Sequence, residues 1–298
     1  MKKYIIFFYV YLFITQLWAA ESQAYWLQII PDARALAMGG SQVAIATGQN
    51  ASYWNPARMY NANSVAISVA NMHGLYNHTS GSMSYSFPVG TIGFSGTTML
   101  ISDIPNTDYI NGRPSLVQNF DCRYLVGVLT YANKIDHLLP YMDNFFWGVN
   151  VKYYNNKLFD TTGTGLGIDL GIQYSFTKTL CLGATVYNFP QVSVDWSNGT
   201  KEIYPQRTRF GLGWEIFTGL LLSADLEQDS NNRVNSYSGL EYWLNPILAL
   251  RGGSNTDAFS AGIGLNLNSF ILDIAYYMPI NTTTGLNPYC RFSVSTDW

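Results

Sequence analysis

The sequence predicts a transmembrane antiparallel β-barrel of about fourteen strands, with a small plug segment at its N-terminus. Three observations predict it. From about residue 63 the chain breaks into runs of about ten residues in which apolar and polar side chains alternate with period two, separated by turn residues. Every second connection between these runs is short, the asymmetry of barrels that have short turns on one side of a membrane and longer loops on the other. Charge is sparse: 12% of the 298 residues are charged and 15% are aromatic, with 22 Tyr. A soluble domain carries about 25% charged residues, whereas a surface solvated by lipid needs few.

Taken in order, residues 1–20 read as a signal peptide. Lys2 and Lys3 form a positive start, residues 4–14 an apolar stretch, and Ala19 and Ala20 a cleavage site, with Ala24 as second choice. The uncharged run before Glu21 is shorter than the roughly 20 residues of a spanning helix, and no later segment is apolar for long enough. Residues 21–62 do not follow the barrel pattern. Residues 31–38 suit a short helix, with Pro31 near its first turn and Gly39-Gly40 stopping it. Residues 41–47 alternate briefly, and Asn55-Pro56 marks a bend. This compact segment is placed to fold back into the lumen as a plug, with residues 63–298 as the barrel.

The expected strands are 63–72, 78–87, 90–100, 119–132, 143–155, 163–175, 178–188, 206–217, 219–229, 233–243, 246–254, 257–267, 269–279 and 288–298. Their faces sort cleanly. Phe210, Leu212, Trp214 and Ile216 oppose Arg207, Arg209, Gly211, Gly213 and Glu215. Leu166, Ile168, Leu170 and Ile172 oppose Gly165, Gly167, Asp169 and Gly171; Leu220, Leu222, Ala224 and Leu226 oppose Ser223, Asp225 and Glu227; Ile274 and Tyr276 oppose Asp273. The same sorting puts Arg123, Lys152, Glu241, Arg251 and Arg291 on the polar face. A soluble sandwich alternates too. Here the polar face is rich in Gly and Ser and mixes both charge signs, which suits a filled lumen. A charge on the lipid face costs roughly 2–4 kcal/mol at the midplane, which accounts for the strict sorting. The short connections are Pro88-Val89, Phe176-Thr177, Thr218, Asn245 and Asn268, with 133–142 a longer exception. The expected outer loops are 101–118, 156–162, 189–205 and 280–287. Phe292, Val294, Thr296 and Trp298 share the last apolar face, a terminal aromatic pattern similar to the signal read by the barrel-insertion machinery.

The segment PDARALAMGGSQVAIATGQNASYWNPARM, residues 31–59, resembles the N-terminal signature of PorV/PorQ-type outer-membrane proteins, structurally grouped with the FadL-like channels. The elements that carry the resemblance are Ala33-Arg34-Ala35, Met38-Gly39-Gly40, Val43-Ala44 and Trp54-Asn55-Pro56-Ala57. The resemblance implies a fourteen-stranded barrel in the outer membrane of a Gram-negative-type bacterium. Its functional implication divides. FadL-like members take up hydrophobic small molecules such as long-chain fatty acids past an N-terminal plug. PorV-like members serve type IX secretion by binding secreted protein cargo. The modest outer loops of this chain favour the first.

Candidate site residues follow from this frame. The net charge of −3 excludes nucleic acid as a partner and leaves outer-membrane lipid, a hydrophobic small-molecule ligand or protein cargo. No catalytic constellation stands out. His73 and His78 flank the first outer turn as solvated rim residues, His137 lies in a connection, and no metal or cofactor is expected. Cys122, Cys181 and Cys290 are odd in number and widely spaced, with Cys181 on the face opposite the other two. Gly163, Gly165 and Gly167 lack the helix and final glycine of a nucleotide loop. In the lumen, Arg123, Lys152, Arg207, Arg209, Arg251 and Arg291 balance Asp169, Glu215, Asp225, Glu227, Glu241 and Asp273, either as a network that fixes the plug or as the lining of a route. Arg34 is a candidate tie from plug to lumen carboxylates, and Trp54, Asn55 and Pro56 form either a gate or a fold-determining turn. Tyr76, Phe87, Phe94, Tyr153, Trp214, Tyr242 and Trp298 are candidate girdle aromatics. The apolar outer loops carry Leu100, Ile101, Ile104, Tyr109, Ile110 and Leu116 in one, and Phe189, Val192, Val194 and Trp196 in another. They form either a ligand-capturing groove or packing over the mouth.

Overall fold

In the computed structural model, Trp26 and residues 29–72, 74, 76–110, 112–135, 144–280 and 287–298 are described. The expected signal peptide, His73, His137 and most of the connections expected at 133–142 and 280–287 lie outside them. Sixteen strand segments follow the plug: β1 (Ser64–Met72), β2 (Tyr76–Phe87), β3 (Gly90–Ile110), β4 (Arg113–Lys134), β5 (Phe145–Leu158), β6 (Thr161–Ser175), β7 (Leu180–Tyr187), β8 (Val192–Trp196), β9 (Lys201–Tyr204), β10 (Arg207–Phe217), β11 (Leu220–Asp229), β12 (Val234–Trp243), β13 (Leu248–Asn255), β14 (Ala258–Asn266), β15 (Ile271–Pro279) and β16 (Tyr289–Asp297).

The ring they close has fourteen strands. β1 pairs antiparallel with β16, from Ser64 opposite Asp297 to Ala70 opposite Arg291, and β5 pairs with β6, so no edge remains. β7 and β8 both pair with the same edge of β6 and are two halves of one wall strand, interrupted at residues 188–191. β9 and β10 are likewise halves of the next strand, interrupted at Pro205-Gln206. The expected outer loop at 189–205 is therefore mostly wall.

Side chains that point away from the lumen are apolar around the whole circumference: Ile67, Phe94, Leu166, Phe210, Leu226, Phe259 and Tyr276 are exposed, while Arg209, Asp225, Glu241 and Arg251 are buried inside. An apolar exterior around a charged interior is the inverse of a water-soluble protein, and lipid is the solvent it fits. The face assignments on β6, β10, β11 and β15 hold.

The expected asymmetry of loop lengths holds on one side only. The turns at 88–89, 176–179, 218–219, 244–247 and 267–270 are short. Among the described residues, the outer connection 159–160 is equally tight, and the expected loop 101–118 is a continuation of β3 and β4 as one hairpin projecting past the rim, with Ile110 paired to Arg113. Above the rim this hairpin pairs with no other strand among the described residues, and the Pro105 and Pro114 that it carries are tolerated on a free edge. Two register shifts, between Ile101 and Ile104 and between Asn106 and Thr107, break the alternation there.

The plug occupies the lumen. Its first helix, Ala33–Ala37, is capped by Asp32, whose carboxylate accepts the Ala35 amide at 2.7 Å, and it ends at Gly39 and Gly40, both with positive φ. A second short helix, Ala51–Trp54, leads into a 3-10 turn, Pro56–Met59, capped by the Asn55 side chain. The wall accepts this backbone because its lumen face is glycine where the plug touches it. A Cβ on Gly148 would stand 2.6 Å from Ala57 N, one on Gly183 2.5 Å from Val43 O, and one on Gly239 2.7 Å from Met38 O. Lumen glycine thus serves close backbone approach, not merely strand curvature.

Candidate ligand cavity and plug anchorage

Two ionic clusters on the lumen wall hold the plug, and two further ion pairs lie beside it. Glu241 on β12 accepts Arg34 Nε at 2.8 Å and Nη2 at 3.0 Å from the plug, and Arg251 Nε at 2.6 Å from β13; Arg251 also reaches Asp273 on β15 at 2.6 Å. Asp225 on β11 pairs with Arg209 on β10 and accepts the plug amides of Gln42 at 2.8 Å and Val43 at 3.1 Å. Arg209 also donates to Gly40 O and lies against the rings of Tyr237 and Trp54. Lys152 on β5 contacts Asp169 on β6 at 2.6 Å, and Arg207 contacts Glu227 at 3.2 Å. These side chains meet because alternate residues on neighbouring strands face the same lumen.

Not every expected lumen charge is there. Arg123 is exposed on the outer face of β4, and Cys122 is buried on the lumen side, the reverse of the expected phase. β4 is apolar on both faces, so alternation could not report which way it points. Glu215 keeps the lumen phase near the turn side, where it accepts the Gly219 amide at 3.1 Å and pairs with no cation among the described residues. Arg291 is fully buried without a carboxylate among the described residues. It donates to Pro31 O at 3.2 Å and Ser68 Oγ at 3.3 Å and meets His78 Nδ1 at 2.9 Å. His78 is thus a buried lumen residue and not a solvated rim residue: β2 begins at Tyr76, which brings it inside the wall.

At the plug bend, Asn55 is fully buried. Its Nδ2 donates to Val43 O and to Ile172 O on β6, both at 2.9 Å, and its Oδ1 accepts Ala57 N. Pro56 lies against Gly148 and Gly171. The Trp54 indole donates to Asp32 at 3.2 Å, and Tyr187 donates to Trp54 O. Burial pushes the Asp32 carboxyl above the usual carboxylate range, against the Ala35 amide and the Trp54 indole, which draw it down.

Beside the plug lies a cavity of about 380 Å³. Met99, Ile101, Val126 and Val128 from β3 and β4 make one apolar wall. Trp26, Ile29, Ile30 and Trp54 come from the N-terminal segment, and Tyr76, Tyr154, Tyr277 and Tyr289 complete the aromatic lining. Tyr277 and Tyr289 stack at 5.0 Å, and Trp26 stacks on Tyr124 at 5.3 Å. Of the charges at its border, Lys152, Asp169, Arg207, Arg209 and Glu227 are paired with one another or with Asp225, and exposed Asp257 has no ion pair among the described residues. Tyr76 lines this cavity and is not a girdle residue. The sequence did carry a signal for the cavity: Cys122, Tyr124, Val126 and Val128 are apolar in the lumen phase, where neighbouring strands place Gly, Ser and charge.

The three expected loop aromatics do not line it. Tyr109 is exposed on the projecting hairpin. Trp196 is half-buried on β8, its indole 3.3 Å from Glu202, and its ring would meet a Cβ on Gly163; Val192 and Val194 are buried against β6. Phe189 is 40% exposed at the break between β7 and β8, where its amide bonds Ile168 O at 2.7 Å. Behind it Asn188 is buried: its amide donates to Asp169, its side-chain oxygen accepts from Lys152 and from Tyr154 at 3.1 Å, and its Nδ2 donates to Pro205 O at 3.0 Å. The break thus lies in the wall beside the cavity, closed from inside by a polar cluster.

Fold and site together define a transmembrane β-barrel with a seated plug and an internal apolar cavity. No protein-family model matches the chain, and no curated protein matches it at a significant level. Solved structures do. A TodX deltaS2S3 mutant, described as a monoaromatic hydrocarbon channel, superposes with a TM-score of 0.63 at 12% identity, covering 89% of this chain and 98% of that one. The CymD monoaromatic hydrocarbon channel gives 0.62 at 10% identity, covering 90% and 97%. A Pseudomonas aeruginosa FadL homologue gives 0.61 at 10% identity, covering 90% and 98%. The fold of this chain is that of these FadL-type barrels.

Proposed function

We propose that this chain is an outer-membrane channel that admits hydrophobic small molecules, and that it prefers uncharged ones. The observation that carries the reading is the cavity of about 380 Å³ with its aliphatic and aromatic lining, a size and character suited to a small ligand. The fold shared with channels described as carrying monoaromatic hydrocarbons supports it. Preference for uncharged ligands follows from the ion pairs at the cavity border: Lys152, Arg207 and Arg209 already face carboxylates. Arg291, buried without a carboxylate, is not part of the lining, so a ligand carboxylate would meet no free counter-charge in the cavity and would lose its hydration. The plug is seated on backbone-width glycine clefts, so passage runs beside it. The break at residues 188–191 lies between cavity and membrane, and a lateral way opens there when the Asn188–Lys152–Asp169 cluster behind it moves aside. A PorV-like role in type IX secretion needs an outer surface shaped for protein cargo, and no observation favours it.

Flux into proteoliposomes tests this reading. Toluene and 1-octanol should enter through the wild-type barrel much faster than benzoate and octanoate, and Val126→Trp, which fills the cavity, should remove the advantage. Equal flux for both charge states, or full flux in Val126→Trp, would overturn it.

A further inference from the structure

The outer wall carries a second feature that the channel does not use. Arg123 on β4 and Lys157 on β5 are register partners, both exposed on the outward face. Like charges directly opposite on neighbouring strands repel, yet neither has an ion-pair partner among the described residues. They border a cavity of about 460 Å³ on the outside of the barrel, under the projecting β3–β4 hairpin, with Phe120 and Phe159 packed edge-to-face at 5.2 Å beside them and Leu100 on the adjoining strand. Asp121 and Asp160 border the same cavity toward the outside, and Asp121 accepts the Asp103 amide at 3.2 Å.

The height of this pair above the membrane fixes the chemistry. From Trp147, at the turn side of β5, to Lys157 the strand rises about 33 Å. At a tilt of about 40° this is roughly 25 Å along the normal, the height of the apolar band of such barrels. Val151 and Tyr153, exposed below Lys157, belong to that band. The two cations therefore stand where acyl chains end and lipid head groups begin. Arg123 and Lys157 face the phosphate level, with Tyr153 and Val151 below them on the same face for an acyl chain and Phe120 and Phe159 above them. The carboxylates further out match hydroxyl or ammonium groups beyond the phosphate.

The geometry points to an exterior lipid site in which Arg123 and Lys157 bind the phosphate of an outer-leaflet lipid. Native mass spectrometry tests it, using the full protein in a non-ionic detergent titrated with phosphatidylethanolamine, with diacylglycerol as the phosphate-free control. The wild type should retain one phospholipid per barrel where diacylglycerol is not retained. Arg123→Gln/Lys157→Gln should need roughly thirtyfold more, the scale set by two basic side chains at an anionic surface, and Arg123→Lys should retain binding. Folding of each variant is checked by its heat-dependent migration on gels, and the Arg123→Lys arm keeps the test decisive if the double variant does not fold. Equal retention by the double variant, loss in Arg123→Lys as complete as in a folded double variant, or full displacement by inorganic phosphate would overturn the proposal.

Discussion

Replacing Glu241 with Ala should loosen the plug without disturbing the wall. Glu241 receives three charged hydrogen bonds, two from Arg34 and one from Arg251. Arg251 keeps Asp273 at 2.6 Å after the change, so only Arg34 loses its carboxylate. Breaking a buried ion pair from one side costs roughly 3–5 kcal/mol. The low end applies here, because the Arg34 side chain retains slight exposure. About 3 kcal/mol shifts the ratio of seated to unseated plug roughly 150-fold. Hydrogen exchange reads this directly. The amides of Leu36 and Gly40, bonded to Asp32 O at 3.0 Å and Ala35 O at 2.8 Å, should exchange faster by about that factor, while amides of β10–β13 keep their protection. Arg34→Ala/Glu241→Ala leaves no orphaned charge on the plug and should recover much of the loss. Unchanged exchange in the single variant, or equal loss in the double, would refute the reasoning.

Two other outcomes follow from the same geometry. Gly183→Ala puts a methyl group 2.5 Å from Val43 O and 3.0 Å from Asn55 Nδ2, an overpacking of about 1–3 kcal/mol. It should raise plug exchange near Val43 while the barrel still folds, as heat-dependent gel migration reports. Tyr109→Ala removes an exposed ring from the projecting hairpin, outside the cavity lining, and should leave toluene flux unchanged in the proteoliposome assay.

The wall was largely legible because a lipid face tolerates few errors: on β10, Phe210 and Trp214 outside and Arg207 and Arg209 inside report the pleat residue by residue. The plug helix was legible from Pro31 and Gly39-Gly40. Legibility failed where the two solvents stop differing. On β4 an apolar cavity lines one face and lipid the other, so alternation assigns Arg123 and Cys122 to the wrong faces. Above the rim, water bathes both faces of β3 and β4, and the pattern fades into what reads as a loop. Asn111-Gly112, a strong two-residue turn signal between extended runs, marked that hairpin in the sequence all the same, and Gly112 has φ 75°. The inward Gly series looks in the sequence like small lumen filling, because close backbone approach between segments far apart in sequence leaves no local trace. The apolar lumen phase of β4, from Cys122 to Val128, was a written trace of the cavity.

The most direct test of the central claim is binding to the purified protein, read by the fluorescence of the uncharged probe N-phenyl-1-naphthylamine. One saturable site, displaced by toluene but not by benzoate and abolished in a folded Val126→Trp variant, is the expected result. Probe binding that survives Val126→Trp, or is displaced equally by benzoate, would contradict a neutral hydrophobic cavity as the functional centre.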